Sequence, residues 1–328
     1  MTESKPEVLK FGGVGMGSGK ALRSAAANIR KAGRPAAVVV SAMNGVTDLL
    51  HEVAQAALRA QKGVYGPAAA AFAAKHTDLI TEVIRTKRDA EELRAVVAES
   101  TRELLSMADS ISVLRELTPR AHDALVARGE RVLATIFTRF LNQEGIDSSY
   151  VDATDVIITE RRLGSTWPNF TKSERAARKI IEPFFAAGRV VVMPGYLGRG
   201  SDGEVVTLGR GGTDFSAAIL ARCLGARSVT LFKEVDGLMT ADTKSVPSAR
   251  VLAELHYREA AELAFYGAKV LHPRTMIPLV DRKIPLFIRN AFHDDHAGTR
   301  VADDVKPGEY PVKALTAIHK QALIAIEG

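Results

Sequence analysis

Twice near its N-terminus the chain runs through a short, largely apolar stretch, breaks at a glycine turn and passes into a helix-forming segment. Residues 8–11 lead into Gly12-Gly13-Val14-Gly15-Met16-Gly17-Ser18-Gly19, and residues 36–41, with Val38, Val39 and Val40, lead into Met43-Asn44-Gly45. Helices are expected over 20–32 and from about 47 to 61. A strand that is apolar on both faces is buried on both, and two strand–helix units in succession require parallel strands covered by helices. Further strands are expected at 149–151, 157–159, 189–193, 205–208, 229–232 and 286–289, separated by helices at 173–187, 214–224 and 258–264. The class is therefore α/β with a mainly parallel sheet.

Residues 67–117 are rich in Ala, Leu, Glu and Arg and lack strand-like alternation, so they are read as a helical excursion. Thr118-Pro119-Arg120 has the form of an N-cap followed by proline at the first helical position, opening a helix through Glu130 to about Asn142. The glycine-rich stretch 195–203 is read as a mobile loop and 303–311 as a linker. An apolar run resumes at 312–328, centred on 322–326.

Composition narrows the function. No apolar run approaches the roughly 20 residues needed to span a bilayer, and the first residues lack a signal-type segment, so the expected compartment is the cytoplasm. Lys and Arg number 44 against 38 Asp and Glu, but the excess is spread along helices and aromatics are only 6%. An anionic small molecule fits this charge better than nucleic acid. The histidines form no His-Glu-x-x-His and the single cysteine, Cys223, has no partner, so no structural zinc site is expected. Cys223 reads as a buried core residue.

The densest motif is Val206-Thr207-Leu208-Gly209-Arg210-Gly211-Gly212-Thr213-Asp214-Phe215-Ser216-Ala217-Ala218. Glycines let backbone N–H groups approach an anion, a helix start adds its positive end, and Arg210 adds a fork matched to a carboxylate or a phosphate. The plainer alternative is a glycine turn with Asp214 as N-cap. Lys10 ends the first strand beside the glycine loop, as a phosphate ligand or a solvated lysine. Two phosphate-loop patterns fail there. The Rossmann spacing from Gly13 needs glycine where Ser18 stands, and Walker A needs glycine at Val14 and a hydroxyl at Ala21.

Ser41 and Thr47 flank a turn at a strand's carboxyl edge, where open α/β sheets bind ligands. Arg128-Gly129-Glu130-Arg131 reads as a solvated helix face or as a carboxylate for a substrate ammonium. Lys233 and Lys269 each sit at an element boundary, and His272, fixed by Pro273, reads as structural rather than catalytic.

Taken together these segments resemble the aspartate kinase family. The matching pieces are Lys10-Phe11-Gly12-Gly13, Ser41 to Thr47, Gly129-Glu130-Arg131, Leu208 to Asp214, and Phe265-Tyr266-Gly267-Ala268-Lys269-Val270-Leu271-His272-Pro273. The resemblance implies a three-layer α/β/α amino-acid kinase (carbamate kinase-like) fold with a mainly parallel central sheet and two lobes. Residues 7–304 would form the catalytic domain, with an aspartate-binding lobe over about 7–200 and a nucleotide-binding lobe over about 201–304. Residues 305–328 would form a linker and the first strand of an incomplete ACT domain.

It further implies phosphoryl transfer from ATP, with Mg²⁺ bridging phosphates, to the β-carboxylate of L-aspartate. Lys10 would neutralise the transferring group, acting with Asp214 and Lys269, beside a phosphate loop of Gly12, Gly13 and Gly15. Ser41, Thr47, Tyr196, Gly211, Gly212 and Thr213 would line the substrate pocket, Glu130 would take the α-ammonium and Arg210 the α-carboxylate. Lys233, Glu234, Met239, Asp242, Lys244 and Lys269 would surround the nucleotide. No protein metal ligand, nucleic acid or membrane partner is implied, and a homo-oligomer, a dimer, is expected. The chain departs from the family's usual pattern at Val14-Gly15, which replace two hydroxyl residues, at Met239, which stands for a tyrosine, and at Thr243-Lys244, which stand for Pro-Arg. The alternatives are another enzyme of the same fold, such as an acetylglutamate kinase, and a nucleotide-binding regulator without turnover.

Overall fold

The computed structural model describes residues 5–162, 165–267, 270–293, 296–305 and 312–318. The chain opens with β1 (Glu7–Phe11), α1 (Gly19–Lys31), β2 (Ala36–Val40) and α2 (Val46–Leu58). β1 carries Val8, Leu9 and Phe11 between Glu7 and Lys10, while β2 is apolar and buried along its whole length, as a central parallel strand must be. The helical excursion follows as α3 (Lys62–Val83) and α4 (Lys87–Leu114), then α5 (Pro119–Val126) and α6 (Arg128–Gln143). Thr118 caps α5, accepting from the Ala121 N–H at 3.2 Å, with Pro119 in the first turn.

The helix expected to run unbroken from Pro119 is instead divided at Ala127. Gly129 explains why it enters the core there: a Cβ on it would stand 2.9 Å from Ala42 Cβ and 3.0 Å from Val46 Cγ1. The glycine therefore serves a close approach of α6 to α2, and the Gly129-Glu130 pair is buried rather than a solvated face.

Next come β3 (Ser148–Tyr150), α7 (Ala153–Val156), β4 (Thr159–Arg162), β5 (Ser165–Pro168), α8 (Phe170–Ala186), β6 (Val190–Pro194), β7 (Leu197–Arg199) and β8 (Val205–Thr207). The remainder is α9 (Gly212–Leu224), β9 (Ser228–Lys233), β10 (Glu254–His256), α10 (Tyr257–Phe265), α11 (Ile277–Val280), β11 (Leu286–Asn290) and β12 (Thr299–Ala302). Eight strands form one sheet in the order β10-β12-β11-β9-β1-β2-β6-β3. Every pairing from β11 to β3 is parallel, and β12 alone runs antiparallel to its neighbour β11.

Helices cover both faces, giving the three layers expected. Leu9, Phe11, Val38 and Val40 pack with α1, α2 and α6 on one side, while Val8, Val39, Val191 and Val229 pack with α8 and α9 on the other. The alternation of adjacent β1 and β2 residues between these cores is the period-two signature of a doubly covered sheet.

Several expectations are corrected. The strand read at 205–208 is not in the main sheet; it is β8 and pairs antiparallel with β7, inside the stretch read as a mobile loop. Gly198 is there because a Cβ would meet the Ile157 carbonyl oxygen at 3.0 Å, a packing requirement that resembles flexibility in composition. The strand at 157–159 begins later, as β4, and forms a hairpin with β5. β10 and β12 are too short and too mixed in polarity to show a period. Residues 312–318 form no strand, and the apolar run 322–326 lies outside the described residues. No helix among the described residues is long and apolar enough to cross a membrane.

Candidate active site

β1 lies between β9 and β2, so its carboxyl end, and those of β2, β6 and β9, open on the same edge of the sheet. Open parallel sheets hold ligands at that edge. Here it forms the floor of a cleft of about 1150 Å³ that gathers Lys10, Ser41, Thr47, Glu130, Tyr196, Lys233 and the whole run from Gly209 to Asp214.

The floor is a three-charge cluster. Lys10, on the central strand, is 5% exposed and places its ammonium 2.6 Å from Asp214 Oδ1. That contact is an ion pair rather than an aligned hydrogen bond. Lys233, ending β9, donates to Asp214 Oδ2 at 2.5 Å. Burial pushes the Asp214 carboxyl up, but the two ammonium groups outweigh it and hold the group below the usual carboxylate range. Burial, with the neighbouring charge of Lys233, pulls Lys10 below the usual lysine value against the attraction of Asp214. Two ammonium groups share one carboxylate, so the cluster turns a surplus positive charge toward the cleft. Such a charge is costly to keep from water without an anion nearby.

Asp214 reaches this position because α9 begins at Gly212 rather than at Asp214. Gly211 is the N-cap, in the left-handed region at φ +69°, and Asp214 stands within the first turn, its side chain free for the lysines. Neither glycine is replaceable by a larger residue without movement. A Cβ on Gly211 would lie 2.7 Å from His272 Cβ, and one on Gly212 would lie 2.5 Å from the Tyr196 ring. Tyr196 itself follows β6 at φ +70°, its N–H donating to Ser216 Oγ at 2.9 Å.

The same cleft also holds a buried acid. Glu130 is 2% exposed, its Oε2 has no hydrogen-bond partner, and burial pushes its pKa up to about 7 against the pull of neighbouring backbone N–H groups. Ser41 Oγ accepts a long hydrogen bond of 3.4 Å from the Thr213 hydroxyl. Thr47 lies in the first turn of α2, whose N-cap is Gly45. Arg210 is exposed and has no ion-pair partner among the described residues.

The remaining wall is Ala264, Phe265, Gly267 and Val270 to Pro273. Phe265, at 70% exposed, and His272 were not expected in the site. Exposed aromatic area beside a pocket is a surface signal, legible only once the fold is known. His272 does play the structural part expected of it, accepting from the Arg274 N–H at 3.2 Å. Lys269 lies outside the described residues.

Other expected residues stand apart from the cleft lining. Gly12, Gly13 and Gly15 occupy the loop after Lys10. Of these only Gly13 is required by space, since its Cβ would be 2.9 Å from the Ala42 carbonyl; Gly12, 3.4 Å from Lys10 Nζ, and Gly15 would meet only ordinary contacts. Glu234, Met239, Asp242 and Lys244 belong to the long connection between β9 and β10. There Met239 bridges Val251, and Asp242 Oδ1 accepts from the Lys244 N–H at 2.9 Å. Cys223 is buried, its thiol pushed up to about 12 by burial, in keeping with a core role. Among the described residues no group of three or more His, Cys, Asp or Glu side chains is arranged to hold a metal ion.

Residues 5–290 match the amino acid kinase family. The chain is 30% identical over 333 residues to the bifunctional aspartokinase/homoserine dehydrogenase 1 of Arabidopsis thaliana, covering 98% of this chain and 36% of that protein. It is 34% identical over 263 residues to the aspartokinase of Schizosaccharomyces pombe, covering 79% of this chain and 50% of the relative. The crystal structure of E. coli aspartokinase III in complex with aspartate and ADP superposes with a TM-score of 0.85 at 27% identity, over 92% of this chain and 65% of that one. The chain thus spans between about a third and two thirds of the proteins it matches.

Proposed function

The chain belongs to the amino acid kinase family, and from that premise we propose that it phosphorylates the β-carboxylate of L-aspartate with ATP. The observation that carries the reading is the pairing of a surplus of positive charge at Lys10, Asp214 and Lys233 with a buried Glu130, whose Oε2 has no hydrogen-bond partner, in one cleft. A substrate with a cationic amine at one end and a reacting anion at the other satisfies both. Aspartokinases from several organisms among its relatives, one of them solved with aspartate and ADP, support the same assignment.

On this reading Glu130 receives the α-ammonium and Arg210 the α-carboxylate, with Ser41, Thr47, Tyr196 and Thr213 completing the pocket. A β-carboxylate oxygen attacks the γ-phosphorus of ATP, the bond to the β–γ bridging oxygen breaks, and ADP leaves with that electron pair. The nucleophile is already an anion at neutral pH, so no general base is required. Catalysis rests on alignment and on stabilising charge that spreads over the migrating phosphoryl group. Lys10 and Lys233 supply that stabilisation, and Asp214 keeps both ammonium groups aimed.

The donor set fits magnesium only by way of the nucleotide, since both oxygens of Asp214 already face ammonium groups. Mg²⁺, arriving on ATP, would supply charge neutralisation at the phosphates. The division into an aspartate-binding lobe at about 7–200 and a nucleotide-binding lobe at about 201–304 belongs to the same proposal. So do the nucleotide roles of Glu234, Met239, Asp242, Lys244 and Lys269 and the phosphate-loop role of Gly12, Gly13 and Gly15.

The test is an acyl-phosphate trap. With ATP, Mg²⁺ and L-aspartate, hydroxylamine is expected to yield aspartyl hydroxamate in proportion to protein. N-acetylglutamate, carbamate or a nucleoside monophosphate should fail to substitute. Turnover with one of those and none with aspartate would overturn the reading, as would the absence of product with every acceptor.

A further inference from the structure

The backbone leading into Arg210 is gripped by two side chains that do not line the cleft. Asp123, on α5, accepts from both the Thr207 N–H and the Thr207 hydroxyl, one at each carboxylate oxygen and each at 2.9 Å. One residue on, the Leu208 N–H donates to the Tyr196 carbonyl at 2.8 Å, and the Leu208 carbonyl accepts from Arg274 Nη1 at 3.2 Å. The other arm of the same guanidinium donates to the Thr166 carbonyl on β5 at 2.9 Å. Its plane is held over the Phe215 ring at 4.8 Å, with Trp167 at 5.6 Å.

These grips matter because the local restraint on Arg210 is slight: one turn hydrogen bond, from the Gly212 N–H to the Gly209 carbonyl at 2.9 Å, spans it. Gly209 and Gly211 flank it in the left-handed region at φ +74° and +69°, and glycine carries more backbone freedom than any other residue. The exposed Arg210 side chain has no ion pair of its own among the described residues. The backbone that carries Arg210 is therefore held through Thr207 and Leu208 on one side and through the turn into α9 on the other. Arg274 also sits one residue beyond Pro273, the end of the adjoining stretch of cleft wall, so it ties that wall to the glycine loop.

We propose that Asp123 and Arg274 are positioning residues that set where Arg210 meets the substrate carboxylate. The inference rests on the assignment of Arg210 to the α-carboxylate made above. In functional terms, the β8 hairpin and the 270–274 wall form one frame, and substrate affinity depends on that frame being intact.

The test is a double-mutant cycle read as the L-aspartate dissociation constant by calorimetry with ADP present, in the full chain. Asp123→Asn and Arg274→Lys, conservative in volume, are each expected to weaken aspartate binding roughly five- to tenfold, the loss of a charge-assisted hydrogen bond. ADP affinity should stay within about twofold. In an Arg210→Ala background the same changes should add almost nothing, because the group they position is gone. A purely structural defect would weaken binding equally in both backgrounds and would lower ADP affinity too. That result, or unchanged aspartate binding in the two single variants, overturns the proposal. If Arg210→Ala alone leaves aspartate affinity intact, the carboxylate assignment itself is wrong and the positioning role falls with it.

Discussion

Asp214 and Glu130 are carboxylates in one cleft, 6% and 2% exposed, and their surroundings drive them in opposite directions. Asp214 stands between two ammonium groups and is held ionised. Glu130 faces no cation, and burial brings it to about 7, close to half protonated at neutral pH. The Lys10–Asp214–Lys233 cluster is thus over-supplied with positive charge, while Glu130 is a buried acid without a counter-ion. The contrast teaches that the cleft is incomplete in two complementary ways, and that a zwitterionic substrate with a further anion relieves both. Sites that are electrostatically unsatisfied when empty are those that gain most from the matching ligand.

The sharpest attack on this comparison removes a charge from the positive cluster. Lys10→Ala leaves Asp214 paired with Lys233, so folding should survive while turnover falls about a thousandfold or more, equivalent to about 4 kcal/mol of transition-state stabilisation. Initial rates of hydroxamate formation measure it, and a rate near that of the unmodified chain would end the claim that Lys10 stabilises the migrating phosphoryl group.

Removing the shared anion should act on stability as well. Asp214→Asn confines two ammonium groups without a counter-charge, at a cost of about 3 kcal/mol. Urea unfolding reports the loss, and part of it should return when ATP is added, since phosphates offer the missing negative charge. A variant as stable as the parent would show that the cluster is better solvated than its burial indicates.

The smallest effect has the opposite sign. Because the folded pKa of Glu130 lies above the ordinary glutamate value of 4.5, the native state binds more protons than the unfolded chain between about 4.5 and 7. Its contribution to stability therefore falls as pH rises through that window and is unfavourable above it. Glu130→Gln should stabilise the ligand-free chain at pH 8 on the order of 1–2 kcal/mol and flatten this part of the pH dependence. The same change should raise the KM for aspartate. In the parent that KM should climb as pH drops below about 7, when the carboxylate that receives the ammonium is lost. An unstabilised variant with unaltered aspartate affinity would dissolve the contrast with Asp214.

Lys10, Ser41 and the Gly209–Asp214 run were legible because each marks a strand end or helix start by local chemistry: an apolar run that stops, then glycine, then a charge. Glu130 was legible as a candidate, but its burial was not, since Arg128 and Arg131 beside it suggest a solvated face. The approach of Gly129 to Ala42 and Val46, which buries it, joins distant segments. The same limit hid Asp123 and Arg274. Asp123 meets a residue 84 positions away and Arg274 one that is 108 away, and neither partner group is a side chain with a distinctive pattern. The β7–β8 hairpin was misread because a glycine required by packing has the same composition as one that confers mobility.

Local pattern alone determined the alternation of strands and helices, the parallel sheet, and the set of charged and glycine residues placed at strand ends, because periodicity and turn chemistry act over a few neighbouring residues. Which of those charges share one carboxylate, which acid is left unpaired, and what holds the loop carrying Arg210 were decided only by tertiary structure. Ion-pair partners and burial depend on distances between residues far apart in the chain, and electrostatic energy is set by those distances and by exclusion of water.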